Sequence, residues 1–123
     1  MKKEFVVLDN DPNTGKELSE ILAEQPFHVT QIRTLAECKA HLRQNPCCAL
    51  LLDLDTVDID NRAIVQLKKQ HPTLTIIAKS LRKFHPELEE SLRSYIFACL
   101  TKPLDPTELQ FWLRSLTSSN GCR

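Results

Sequence analysis

The chain alternates short apolar runs with longer stretches in which apolar residues recur at helical spacing. Phe5-Val-Val-Leu8 reads as an apolar strand, stopped by Asp9-Asn-Asp-Pro12. Asp11 is expected to cap the helix that follows, with Pro12 at its first position, where no backbone N–H is missed. Leu18, Ile21 and Leu22 fall on one face of that helix, and Pro26 ends it. A second strand is predicted from about Phe27 to Arg33. Thr34-Leu-Ala-Glu37 then has the form of a capping box, in which hydroxyl and carboxylate satisfy each other's orphan amides. Leu35, Cys38 and Leu42 supply the buried stripe of the second helix, and Asn45-Pro46 closes it.

Ala49 to Leu54 is apolar except for Asp53, the mark of a strand covered on both faces. A polar loop from Asp55 to Asp60 leads into a helix carrying Ile64, Val65 and Leu67. A strand over Leu74 to Ala78, a helix over Pro86 to Ile96 and a last strand over Phe97 to Thr101 follow. Asp105-Pro-Thr-Glu108 caps the final helix, whose apolar members are Leu109, Trp112, Leu113 and Leu116. Five strands alternating with five helices predict an α/β fold, a doubly wound five-stranded parallel sheet flanked by five helices, because parallel strands need helical crossovers. Residues 1–117 are expected to form this one domain, and 118–123 a disordered tail or the start of a linker.

Charge and cysteine usage narrow the class. Sixteen basic and sixteen acidic residues cancel, so no net field points to nucleic acid or an anionic membrane. The five cysteines (38, 47, 48, 99 and 122) show no C-x-x-C spacing, which suits neither a disulfide framework nor a zinc site, and they are read as reduced thiols. The histidines are scattered, and no apolar run approaches the ~20 residues that span a bilayer, so a soluble, cytoplasmic protein is expected. With two glycines in the chain, a Gly-rich phosphate cradle is excluded.

In such a sheet functional residues collect at the carboxyl ends of the strands. Those ends carry Asp9, Asn10 and Asp11, then Asp53, then Ser80, then Lys102: carboxylates, a hydroxyl and an ammonium group at one edge. The segments V-V-L-D-N-D-P, L-L-L-D-L-D, T-I-I-A-K-S and C-L-T-K-P-L, with the capped last helix, resemble the receiver domain of two-component response regulators, from Phe5 to about Leu116.

The resemblance implies a flavodoxin-like, receiver-type fold and a set of roles. Asp53 would be the phosphoacceptor, taking a phosphoryl group from a histidine kinase or phosphotransfer protein. Asp9, Asn10 and Asp53 would hold Mg2+, with the backbone carbonyl of Asp55 completing the coordination. Ser80 would bond the phosphoryl group and Lys102 would pair with it. Such a domain is no enzyme beyond its own phosphorylation and dephosphorylation. It would control an output domain or partner protein, with no direct nucleic-acid or membrane binding, and its last helices are a candidate homodimer surface. Electrostatics agrees: an attacking carboxylate and a phosphoryl dianion repel each other unless cations neutralise them.

Departures from the family pattern are as informative. Asn10 stands at a usually acidic position, so weakened Mg2+ binding is expected. Lys79 interrupts an apolar strand; it is expected to snorkel to solvent, the alternative being that it adds positive charge near the phosphate. Asn61 is expected to take a left-handed conformation that glycine would otherwise supply. Leu81, in place of a usual small residue, is expected to narrow access beside Ser80. Cys99, with Ser80 a switch position, replaces an aromatic residue that swings inward on activation. These features motivate an alternative, a pseudo-receiver that binds partners without phosphorylation. A small phosphate-ester hydrolase is a third reading, without a visible lid or general acid.

Overall fold

A computed structural model describes residues 3–117; the predicted tail, 118–123, lies outside them. Five strands, β1 (Lys3–Leu8), β2 (Phe27–Ile32), β3 (Ala49–Asp53), β4 (Thr75–Ser80) and β5 (Ile96–Thr101), alternate with five helices. The helices are α1 (Thr14–Ile21), α2 (Leu35–Gln44), α3 (Asn61–Gln70), α4 (Glu89–Ser94) and α5 (Pro106–Thr117). All pairings are parallel, in the order β2-β1-β3-β4-β5. The α/β sandwich read from the sequence is the fold observed.

The alternation along β1 explains the two cores. Val6 and Leu8 face one way, with Leu50, Leu52, Ile64, Leu67 and Ile76. Phe5 and Val7 face the other, with Leu18, Leu51, Ile77, Leu109 and Leu113. Both faces are apolar because both are covered by helices. Every residue of β3 is buried, and each of its leucines contributes roughly 1.5–3 kcal/mol on leaving water. The chain steps from β1 outward to β2 and later back to β3, so β1 and β3 are neighbours at the point where the winding reverses. That is where an open α/β sheet leaves a crevice at its strand ends, and it sets Asp9 beside Asp53.

Several local expectations change. α1 begins at Thr14 after Asn13, so Asp11 does not cap it; the Asp11 carboxylate accepts from the Asn13 amide (3.0 Å), closing a turn that contains Pro12. β4 runs on to Ser80 because Lys79 pairs with Asp53 and Ser80 with Thr101. The single helix expected over Pro86 to Ile96 is a short 3-10 turn, Pro86–Leu88, followed by α4. At Thr34 half of the capping box forms: its hydroxyl accepts from the Glu37 amide (3.2 Å) and donates to the Glu37 carboxylate (3.1 Å).

Asn61 is not left-handed, since no non-glycine residue among those described has positive φ. It opens α3 after the Asp60 cap, and its side chain reaches α4. Its Oδ1 accepts from the Ser91 hydroxyl (2.6 Å) and amide (3.2 Å), and its Nδ2 donates to the Glu87 carbonyl (3.0 Å). Burial pushes the thiols of Cys38 and Cys47 up to about 12 and about 11, which keeps them protonated. Cys48 is disulfide-bonded, which corrects the reduced-thiol reading at that residue. Among the described residues no helix is long and apolar enough to cross a membrane.

Candidate functional site

The strand ends bring Asp9, Asp53, Ser80 and Lys102 together, with Asp55 from the loop after β3. Asp53 closes β3 and its side chain is 1% exposed. Its Oδ1 lies 2.6 Å from Lys102 Nζ and accepts from the Asp55 amide (3.2 Å). Its Oδ2 accepts from the Thr56 hydroxyl (2.6 Å). That hydroxyl also lies 3.1 Å from Asp9 Oδ1, donating to one carboxylate at a time, and accepts from the Asn10 amide (3.1 Å).

The Asp55 carboxylate itself enters the cluster. Its Oδ1 accepts from Ser80 Oγ (2.8 Å), and its Oδ2 accepts from the Leu81 amide (2.8 Å) and lies 2.9 Å from Lys102 Nζ. Burial opposes its charge, but Lys102, the Leu81 N–H and Ser80 outweigh burial and hold its carboxyl down to about 2. Lys102 responds in the opposite sense: burial lowers it, and the two carboxylates together raise it above the ordinary lysine range.

Asp9 has a different partner. Its Oδ1 accepts from the Asp11 amide (2.8 Å), while Oδ2 lies 2.6 Å from Lys79 Nζ. Lys79 therefore does not snorkel to solvent; its side chain is 8% exposed and that of Asp9 0%. Burial alone would raise the Asp9 carboxyl, but Lys79, the Asp11 N–H and Thr14 hold it below its ordinary value. Gln31 clamps the loop beneath, donating to the carbonyls of Asp9 (2.8 Å) and Asp11 (2.6 Å) while accepting from the Gly15 amide (2.7 Å).

Two residues singled out in the sequence stand apart. The side chain of Asn10 turns outward, where its Oδ1 accepts from Arg33 Nε (3.1 Å), and only its backbone amide enters the cluster. Cys99 is exposed on β5, aligned with Ala78, two positions before the Ser80–Thr101 end of the β4–β5 pair. Thr56, Gln31 and Arg33, which the strand-end pattern does not single out, are integral to the arrangement.

These side chains do not fit the Mg2+ implied by the resemblance. Mg2+ needs free oxygen donors in near-octahedral array, and here an ammonium group sits on Asp9. The Asn10 oxygen is taken by Arg33, and Asp53 Oδ1 by Lys102. Among the described residues no three His, Cys, Asp or Glu side chains converge as a metal cage.

No protein-family model and no curated protein matches the sequence. Solved structures do. A CheY-like response regulator receiver domain from Methanospirillum hungatei superposes with a TM-score of 0.82 at 19% identity, covering 96% of each chain. The signal receiver domain of an HD domain-containing protein from Pseudomonas fluorescens gives 0.84 at 18%, again over 96% of each. That of a signal transduction histidine kinase from Syntrophus aciditrophicus gives 0.79 at 19%, over 94% of this chain and 90% of that one. Over nearly its whole length, the chain has the CheY-like fold of response-regulator receiver domains.

Proposed function

We propose that this chain is a receiver-type signalling domain that accepts a phosphoryl group on Asp53. The observation that carries the reading is the buried Asp53 carboxylate, 2.6 Å from Lys102 Nζ, in a cleft of about 180 Å³ that Lys79 also lines. The donor would be a phosphohistidine of a histidine kinase or phosphotransfer protein. Lys102 holds Oδ1, which leaves Oδ2, bonded to the Thr56 hydroxyl, as the attacking oxygen. An O–P bond forms, the P–N bond breaks, and the imidazole leaves with the electron pair. Two ammonium groups offset the repulsion between carboxylate and phosphoryl oxygens.

The bound phosphoryl group then competes with Asp55 for Ser80 Oγ, the Leu81 amide and Lys102 Nζ. Ser80 Oγ also accepts from the Arg82 amide (3.0 Å), so a shift of Ser80 is felt in the loop leading to α4. Beyond it, Phe97 and Phe111 are 50% and 54% exposed on β5 and α5. Both pack edge-on against Trp112, at ring distances of 5.2 and 5.3 Å. This face would meet an output domain, a partner protein or a second copy, in the cytoplasm.

Intact mass after incubation with acetyl phosphate tests the reading. Wild type is expected to gain one phosphoryl group and Asp53→Asn none; equal gain in both would remove Asp53 as acceptor. A second reading, a binding module that works without phosphorylation, is favoured by Asp55 already occupying the donors that a phosphoryl group would use. Unchanged mass in wild type, with partner binding intact in Asp53→Asn, would support that reading.

A further inference from the structure

We propose that Lys79 is a tethered cation that takes the place of a divalent metal, so that this site excludes Mg2+ and Asp53 is phosphorylated without it. The second half rests on the reading of Asp53 as acceptor; the first half stands without it.

Lys79 lies opposite Asp53 in the β3–β4 register, and its ammonium ends 2.6 Å from an oxygen of Asp9, at the end of β1. The side chain therefore reaches across the end of β3 to the carboxylate of Asp9. A lysine buried to this degree needs a counter-charge, and Asp9 is that charge. Asp9 Oδ2 has no other hydrogen-bond partner, so the ammonium alone compensates it. The neighbouring changes act in the same direction. The residue after Asp9 is the neutral Asn10, and Arg33 draws its oxygen away to the surface. A metal approaching Asp9 would meet a neutralised carboxylate and a fixed positive charge. Lys79 also lines the cleft that holds Asp53, so its charge acts on an incoming phosphoryl group.

Isothermal titration with Mg2+ tests the exclusion directly. Wild type is expected to show no saturable binding up to about 20 mM, a range generous for a site of few carboxylates. Asn10→Asp alone should stay silent, because Lys79 still covers Asp9. Lys79→Met combined with Asn10→Asp should bind Mg2+, and Mg2+ should raise its melting temperature. Saturable binding by wild type or by Asn10→Asp would overturn the proposal, as would silence of the folded double variant. Should the double variant not fold, the wild-type titration still decides.

Labelling of wild type by acetyl phosphate, with EDTA or with Mg2+, separates the two claims. Rates within about twofold of each other would support the tethered cation, a difference of only ~0.4 kcal/mol in barrier. Labelling that needs Mg2+ would overturn it and leave Asp53 as acceptor. No labelling under either condition would end the acceptor reading, and the titration alone would then judge the exclusion of metal.

Discussion

The two halves of the strand-end cluster hold their charges differently. On the β1 side, Asp9 and Lys79 are sealed, with side chains 0% and 8% exposed. On the β5 side, Asp55 and Lys102 keep 18% and 20% of their side chains open to water. In the sealed half neither partner can leave without stranding a charge in a low-dielectric interior. In the open half water can solvate either group, so exchanging one anion for another costs little. Similar ion pairs are therefore a fixture in one half and a replaceable contact in the other. Asp55 belongs to the replaceable half, where a phosphoryl group would compete with it.

Substitutions in the two halves test that contrast. The largest loss is expected from Asp9→Asn, which strands Lys79: about 3–5 kcal/mol by urea unfolding. A loss below about 1 kcal/mol would mean that the pair is already solvated and the halves are alike. Next is Asn61→Ala, which deprives Ser91 and the Glu87 carbonyl of their partners and should cost about 1–3 kcal/mol.

Asp55→Asn should cost less, about 1 kcal/mol at neutral pH, because solvent screens its ion pair. Its pH dependence has a definite sign. The Asp55 carboxyl is held at about 2 against an ordinary 3.8. Its stabilisation is thus complete above 3.8 and is lost as the pH falls toward 2. Asp9, also held low, loses stability in the same direction. Asp55→Asn should flatten part of the acid limb of an unfolding-against-pH curve, and an unchanged limb would contradict its pairing with Lys102. Arg33→Ala should be smallest, within about 0.5 kcal/mol, because the contact it removes is on the surface.

The fold was legible because burial on both faces of a sheet leaves a plain record. Ala49 to Leu52 is unbroken apolar sequence, and each helix carries its stripe at helical spacing. Asp9, Asp53, Ser80 and Lys102 were legible for a related reason: polar residues that end apolar strands must emerge at one edge. Thr56, Gln31 and Arg33 were not, because their roles are hydrogen bonds to residues 47, 22 and 23 positions away. Of the two readings of Lys79, snorkelling was favoured, and the buried side chain overturns it. A lysine inside a strand covered on both faces has no short route to water, and its counter-charge comes from a non-adjacent strand. Asp55 looked like a supplier of a backbone carbonyl; that its carboxylate folds back onto Ser80, Leu81 and Lys102 depends on the loop path, which residue types alone do not specify.

Whether Asp53 takes up phosphate without metal is decided by the intact mass of metal-free wild type after acetyl phosphate in EDTA, beside Asp53→Asn treated alike. A gain of one phosphoryl group in wild type only is the expected result. It would mean that Asp53 is the acceptor and that its own lysines supply the neutralising charge. A gain that appears only when Mg2+ is restored, or that persists in Asp53→Asn, would contradict the account.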